Sequence, residues 1–549
     1  MKSQPVVYPH TKDSFLVFQF VIDYTLLLLA YLIIIVIWCG GKIAYWFSIM
    51  KQDLSPHHNG GNTIQKFTQE QQNSVWCEGL VESFSGIRGV YGSGITPELA
   101  KRYVFCFCQL FQGKLKTVVV GGDTRPSTVI LKKAAIKAFN DCGIKQIIDV
   151  GVLPVQVCEY SILKFKADGG IYITASHNEP NYNGWKILKK DGALLYAEQS
   201  EKLIKNVHGL PDNFNLPVSK KASHICKKQT EAINAYIDYV FKKLGAKTLQ
   251  TIEKCNLKII LDPNGGSSIA VWQKILSQLK IKAKVVNSRL GEFNRLVEPN
   301  VESLAYLNKE MAQSGFAFAA GFDSDADRVE FVINPESAFA KEMGPVVNGN
   351  YVLALACEAA LEGTKNQIVV TNDVTAYLVR DVIKKYKAKM KEVEVGEMVV
   401  VEEMEKQKSI IGGEGSNGGV IIPPIKCRDG ILTTLLFLKL LSLRRKNLAD
   451  ILQECPKYYS DRTALKCSPQ SAIAIRKKIE DYFKQKGWQV KKTGDKTGGL
   501  KALLDKNSYV WFRQSKTEPG SFRIIADADN KEKVKNLLDK GVKAFKMSI

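Results

Sequence analysis

Four loops carry residues whose types and spacing suit linked chemistry. The first reads Thr174-Ala175-Ser176-His177-Asn178-Glu179-Pro180-Asn181-Tyr182-Asn183-Gly184-Trp185-Lys186 and follows the apolar run Gly170 to Thr174. A serine at the carboxyl end of a parallel strand lies where α/β sheets present ligands, and Lys186, ten positions later, can fold back toward the same anion. A hydroxyl is a weak nucleophile until a base takes its proton, so His177 or Lys186 has to serve. Taken alone, the loop also reads as a turn rich in hydrogen-bonding side chains.

The second loop, Asp323-Ser324-Asp325-Ala326-Asp327-Arg328, follows the apolar run Phe316 to Phe322. Carboxylates at three alternate positions repel one another when crowded, and a divalent cation is the economical resolution. Mg²⁺ fits, because it takes a few carboxylates and completes its shell with phosphate oxygen or water. An EF-hand does not fit: Arg328 stands at the loop glycine and Asn334 at the bidentate glutamate. A phosphatase with Asp323 as nucleophile also begins with D-x-D after an apolar strand, so that reading stays open on this motif.

The third loop, Gly412-Gly413-Glu414-Gly415-Ser416-Asn417-Gly418-Gly419, contains the letters of a dinucleotide fingerprint. That fingerprint demands a helix next, and Val420-Ile421-Ile422-Pro423-Pro424 forbids one. Its glycines instead allow close approach to a polyol, with Glu414 and Ser416 as hydroxyl readers; a hairpin without ligand competes with this reading. In the fourth loop, Arg513-Gln514-Ser515-Lys516-Thr517-Glu518-Pro519-Gly520-Ser521-Phe522-Arg523, cations and hydroxyls form a donor set for a phosphate that does not react. Arg88 and Arg125 add cations on glycine- or proline-rich turns.

Short apolar runs at Thr117 to Val120, Gln146 to Val150, Lys258 to Leu261, Ala283 to Val286 and Gln367 to Thr371 alternate with helical stretches such as Ser127 to Cys142 and Ala270 to Leu279. This alternation predicts βαβ units, restarting near Lys258 and Gln367. Tyr509 to Arg513 and Phe522 to Ala526 read as strands of a smaller α+β unit, closed by a helix from Asn530 to Phe545. Cys106 and Cys108 alternate in an apolar run and read as one face of a strand.

In this order the loops resemble the α-D-phosphohexomutases, which include phosphoglucomutases, phosphomannomutases and phosphoglucosamine mutases, over about residues 80 to 549. The resemblance implies four α/β domains around a central cleft, three of one plan and a smaller α+β one; the limits expected are 75–210, 211–335, 336–455 and 456–549. It makes Ser176 the phosphoryl carrier and places Mg²⁺ on Asp323, Asp325 and Asp327 together with the phosphorylated Ser176. Arg88, His177, Lys186 and Arg328 would surround the transferring group, with Lys186 the first candidate for acid/base work. Glu414 and Ser416 match the sugar-reading loop. Arg513, Ser515, Thr517 and Arg523 match the distal phosphate clamp, and Lys516, standing where the family usually has Gly or Asn, adds a further cation to it. The implied substrate is a phosphorylated hexose, and a glucose-1,6-bisphosphate-type activator would charge Ser176. The alternatives are a metal-dependent sugar-phosphate phosphatase and a membrane-tethered phosphosugar-binding protein without catalysis.

At 549 residues the chain exceeds one ordinary core, and 45% hydrophobic with 24% charged residues excludes disordered and multi-spanning classes. A net charge of +22 favours anionic partners, whether phosphorylated metabolites, nucleic acid or an acidic membrane face; the resemblance makes that partner a phosphosugar, with no nucleic acid expected. The twelve cysteines show no metal-ligand spacing and read as reduced thiols. From Phe15 to Ile37 an apolar run of 23 positions, interrupted at Asp23, has the length of a membrane span, followed by a polar linker over 51–74. The expectation is a single anchor with the catalytic body on the cytosolic side.

Overall fold

The computed structural model describes residues 79–549 apart from 314, 417 and 517–519. Four sheets follow one another along this stretch. The first has seven strands in the spatial order Val81–Ser83, Gly86–Val90, Tyr182–Lys189, Gly169–Ile173, Thr117–Gly122, Gln146–Val152 and His224–Lys227. Its last four strands are parallel, and the strand carrying Lys186 runs antiparallel beside the one that leads into Ser176. The second sheet orders Val346–Val347, Val329–Val332, Phe318–Phe322, Lys258–Asp262 and Lys282–Val285; the third orders Lys389–Val393, Ile368–Asn372, Ile411–Gly413 and Val420–Ile421. The fourth is wholly antiparallel: Tyr459–Lys466, Ser521–Ala528, Ser508–Gln514, Leu500–Asp505 and Gln489–Lys492.

The central strands are apolar without alternation because helices cover both faces. Val118, Val119, Val120, Ile259, Ile260, Val369 and Val370 are all fully buried. One apolar cluster runs from Val150 and Tyr172 through Ile259 and Phe318 to Val369 and Leu435, so the first three sheets share a core. The fourth keeps its own around Ile479, Phe512 and Ile524. Loops at the strand ends of different sheets are thereby held along one seam.

Two expectations are corrected. Cys106 and Cys108 lie on the helix Pro97–Leu110, not on a strand. Thr96 caps that helix by accepting from Leu99 N at 3.1 Å and Pro97 opens its first turn; the buried Leu99, Tyr103 and Phe107 then recur at helical spacing. Membrane anchoring is corrected too: no helix among the described residues is long and apolar enough to cross a membrane. The longest, Gln229–Leu244 and Lys531–Lys546, have 16 residues each, about 24 Å at ~1.5 Å per residue against a hydrocarbon core of about 30 Å. The apolar run 15–37 and the linker 51–74 lie outside the described residues, and the anchor is not carried into the function.

Candidate active site

Ser176 sits just past the end of strand Gly169–Ile173 in the left-handed region, with φ 53°. A residue with a β-carbon stays there only when its surroundings hold it. Arg125 does so. Its guanidinium, fully buried, donates to the carbonyls of Ser176 (2.6 Å), Asn178 (2.5 Å), Glu179 (2.5 Å) and Tyr182 (3.0 Å), and its Nε to Asp123 Oδ2 (3.0 Å). The sequence reading offered Arg125 as a cation for ligand, but every one of these contacts goes to the chain itself.

The serine loop meets the acid loop through Thr174. Its hydroxyl accepts from Ser176 N at 2.8 Å and lies 2.8 Å from Asp123 Oδ2 and 3.3 Å from Asp325 Oδ2. Lys186, across from Tyr172 in the sheet, brings its Nζ to 3.0 Å from Asp325 Oδ2 and 3.3 Å from Asp327 Oδ2. Burial pulls the Lys186 ammonium down, but Asp325 and Asp327 outweigh it and hold its pKa well above the usual lysine range. In this arrangement Lys186 is an acid.

Asp323, Asp325 and Asp327 are the single group among the described residues with three metal-ligating side chains in reach, their ligand oxygens all within 4.8 Å of one another. All three are buried, and Asp323 Oδ2, Asp325 Oδ1 and Asp327 Oδ1 have no hydrogen-bond partner. Burial, then the neighbouring carboxylates, raises Asp323; burial also raises Asp325 despite Lys186. Asp327 goes the other way, because Arg428, Lys186 and Arg328 overcome its burial. Orphaned carboxylate oxygens converging in a dry site fit a hard divalent cation.

Arg88, His177 and Arg328 gather on the same side. Burial and the nearby Arg328 lower Arg88. Burial, Arg328 and Arg88 push His177 down to about 2, so its imidazole stays neutral. Arg328 pairs with Glu298 at 2.6 Å and approaches Asp327 at 3.9 Å and Asp323 at 4.0 Å, leaving its buried Nε without a hydrogen bond.

The peptide at Ala326, between two of the acids, is gripped from two other segments. Gln156 Nε2 and Gly430 N both donate to Ala326 O at 3.1 Å, and Gln156 also reaches Asp429 Oδ1 at 3.3 Å, which accepts Tyr236 OH at 2.8 Å. Val155 N donates to Asp325 O at 3.1 Å.

The glycine loop is a hairpin between Ile411–Gly413 and Val420–Ile421, seated on the strand after the acids. Val329 N donates to Gly418 O at 3.3 Å and Gly418 N to Glu330 Oε1 at 3.0 Å. A β-carbon on Gly418 would lie 1.8 Å from Val329 O, which is why glycine stands there. Glu414 is buried and accepts from Asn372 Nδ2 (3.0 Å) and Gly396 N (3.3 Å), whereas Ser416 is exposed.

Sequence reasoning missed Arg428 and Glu397. Arg428 lies 3.1 Å from Glu397, 3.5 Å from Asp327 and 4.0 Å from Glu414, joining the acid loop to the glycine loop. Only the turn pair Arg428-Asp429 before an apolar helix marked it in the sequence. Gly396, Val395 and Glu394 continue the line to the fourth loop, where Arg513 Nη1 donates to Val395 O at 3.3 Å and Glu394 pairs with Arg513 at 3.0 Å and Lys516 at 2.6 Å. Ser515 N donates to Ser521 O at 2.8 Å, and Arg523 pairs with Arg513 across the strands. Thr517 lies outside the described residues.

Consecutive segments match the domains described as phosphoglucomutase/phosphomannomutase alpha/beta/alpha domain I over 82–212, domain II over 234–336 and domain III over 348–459. The chain is also 31% identical over 470 residues, 84% of its length and 98% of the other's, to a phosphoglucomutase/phosphomannomutase of Thermococcus kodakarensis. The chain belongs to the phosphohexomutase family. Phosphohexomutases are intramolecular phosphotransferases of the isomerase class, and this chain is such an enzyme. A phosphoglucosamine mutase of Methanococcus maripaludis is 27% identical over 471 residues, covering 84% of this chain and 98% of that one. The fold is that of a phosphoglucomutase/phosphomannomutase family protein from Burkholderia thailandensis, with a TM-score of 0.69 at 19% identity over 85% of this chain and 97% of that one. The acid, serine and glycine loops fall within domains II, I and III respectively.

Proposed function

We propose that this phosphohexomutase interconverts hexose 1-phosphate and hexose 6-phosphate through a phosphorylated Ser176, with Mg²⁺ on Asp323, Asp325, Asp327 and that phosphoserine. The observation that carries this is the approach of the serine loop to the acid loop: Thr174 bridges Ser176 N and Asp325, and Lys186 reaches both Asp325 and Asp327. When bound, Mg²⁺ supplies positive charge against the oxygens of the transferring group.

Phosphoryl transfer asks the protein mainly for positioning and charge. Arg125 fixes the backbone of Ser176, so the Oγ needs no reorganisation at transfer. Arg88 and Arg328 supply cations beside the acids, and neutral His177 offers a hydrogen bond without a further charge. As the sugar hydroxyl attacks the phosphorus of phosphorylated Ser176, the P–Oγ bond breaks and the hydroxyl proton leaves to a base. Lys186, held as an ammonium by Asp325 and Asp327, gives its proton to the departing Ser176 Oγ and, neutral for that moment, takes the proton of the attacking hydroxyl. The resulting bisphosphate turns within the cleft, and its other phosphate returns to the Ser176 Oγ. Glu414 and Ser416 hold sugar hydroxyls, while Arg513, Ser515, Lys516, Thr517 and Arg523 hold the phosphate that is not reacting. A hexose bisphosphate charges Ser176 before the first turnover. Relatives named phosphoglucomutase/phosphomannomutase and phosphoglucosamine mutase support a phosphorylated hexose as the substrate class.

Intact-mass measurement of the purified chain tests the reading. Wild type is expected to carry one phosphoryl group in part of the population, and Ser176→Ala to lose both that mass and the mutase activity. Full activity in Ser176→Ala would remove the mechanism.

A further inference from the structure

Arg513 and Lys516 already hold an anion in this structure, and it belongs to the chain. Both cations converge on one oxygen, Glu394 Oε1, at 3.0 and 2.6 Å. The carboxylate comes from the segment directly after strand Lys389–Val393 of the third sheet, whereas its partners lie on and just past strand Ser508–Gln514 of the fourth. Glu394 is 9% exposed and Arg513 6%, so the pair is screened little by water. Its second oxygen is backed by the chain: a β-carbon on Gly494 would lie 2.0 Å from Glu394 Oε2. Arg513 Nε, also buried, has no hydrogen-bond partner, and Glu394 Oε1 itself accepts no aligned hydrogen bond, so the contact is an ion pair by distance alone. A donor left over beside a single carboxylate is what a fork built for a group with three acceptor oxygens would show.

We propose that Glu394 is an internal stand-in for the distal phosphate, which any anion entering the clamp has to displace. The inference rests on the clamp assignment made above. A sugar phosphate carries nearly two charges and three acceptors at neutral pH, enough to take Arg513 and Lys516 from one carboxylate. A singly charged anion gains no more from the two cations than Glu394 already does, and a neutral sugar gains less. The carboxylate thus lowers the affinity of every ligand that must displace it, and by the same factor, set by the fraction of clamp it leaves open. In the unliganded protein it also neutralises two neighbouring cations that would otherwise repel.

The test compares full-length wild type with Glu394→Gln, which keeps the shape and removes the charge, reading the KM for glucose 6-phosphate and the inhibition constant of inorganic sulfate. Displacing one charge-assisted contact corresponds to about tenfold in affinity. Glu394→Gln is therefore expected to bind glucose 6-phosphate about tenfold more tightly and sulfate more tightly by a similar factor. Glu394→Asp, shorter by one methylene, is expected to move both constants in the same direction. Unchanged or weaker binding of both ligands in either variant would overturn the proposal and leave Glu394 as a residue that orients Arg513. Failure of the clamp assignment looks different: Lys516→Met would then leave the wild-type KM unaltered.

Discussion

Arg125→Met is the perturbation that tests how the serine loop is held. The native guanidinium satisfies four backbone carbonyls and one buried carboxylate at 2.5–3.0 Å, and its side chain is fully buried beside an equally buried Asp123. Methionine reaches about as far as the arginine Nε, fills the apolar part of the space and has none of the donors. Removing one member of a buried ion pair costs about 3–5 kcal/mol. Asp123 keeps the hydroxyls of Thr128, Thr174 and Ser324, at 2.8–3.0 Å, which argues for the lower half of that range on the carboxylate side. The loop carbonyls have no comparable substitute and push the cost back up. For a unit of this size the loss corresponds to a fall of roughly 10–15 °C in the melting of domain I. The second effect is on turnover: with nothing holding φ of Ser176 positive, a displacement of about 1 Å in its Oγ costs roughly 10²-fold. Calorimetry with mutase assays at a temperature where both proteins are folded separates the two. Arg125→Lys, which keeps a charge for Asp123 but not the fork, is expected between them. An Arg125→Met protein that melts within roughly 2 °C of wild type and turns over normally would refute the reasoning.

Two further outcomes follow from the glycine loop. Gly418→Ala would drive a β-carbon to 1.8 Å from Val329 O, so the hairpin must lift; KM for the sugar phosphate is expected to rise at least ~10-fold while Mg²⁺ affinity, measured by calorimetric titration, stays near wild type. Beneath the same hairpin, burial pushes Glu330 up to about 8 from an ordinary 4.5, the Gly418 amide and Arg328 opposing only part of it. Between those two pH values the unfolded chain has released this proton and the native chain has not, so stability contributed here falls as pH rises from about 4.5 to about 8. Glu330→Gln keeps an acceptor for Gly418 N without the proton, and its melting temperature is expected to gain on wild type across that window. Parallel melting curves of the two proteins against pH would show that the carboxyl is not held neutral.

What the sequence disclosed was whatever is local. The strands before Ser176 and Asp323 were legible from apolar runs with turn residues at their ends, and the helices Thr128–Asp141 and Ile269–Leu279 from periodicity. The run around Cys106 misled, since alternation over a few residues suits a strand while the start signal Thr96-Pro97 lies a turn and more upstream. Arg125 was seen as a cation but not as a staple, because its partners are carbonyls that no residue type reveals. Arg428 and Glu397 stayed hidden for a related reason: their meaning lies in touching Asp327 and Glu414, which are distant along the chain and meet only through the shared core. The carboxylate on Arg513 was invisible likewise, arriving from another sheet.

The double grip on the Ala326 carbonyl, from Gln156 on one side and Gly430 on the other, makes the cation cage a product of assembly rather than a property of the segment that contributes its acids. A ribosome must release residues well beyond 430 before the acids are braced on both flanks, so the metal loading proposed here would belong to the end of biosynthesis. Any ligand that prefers the finished cage then adds its binding free energy to all the segments that brace it at once, and removing that ligand weakens them together.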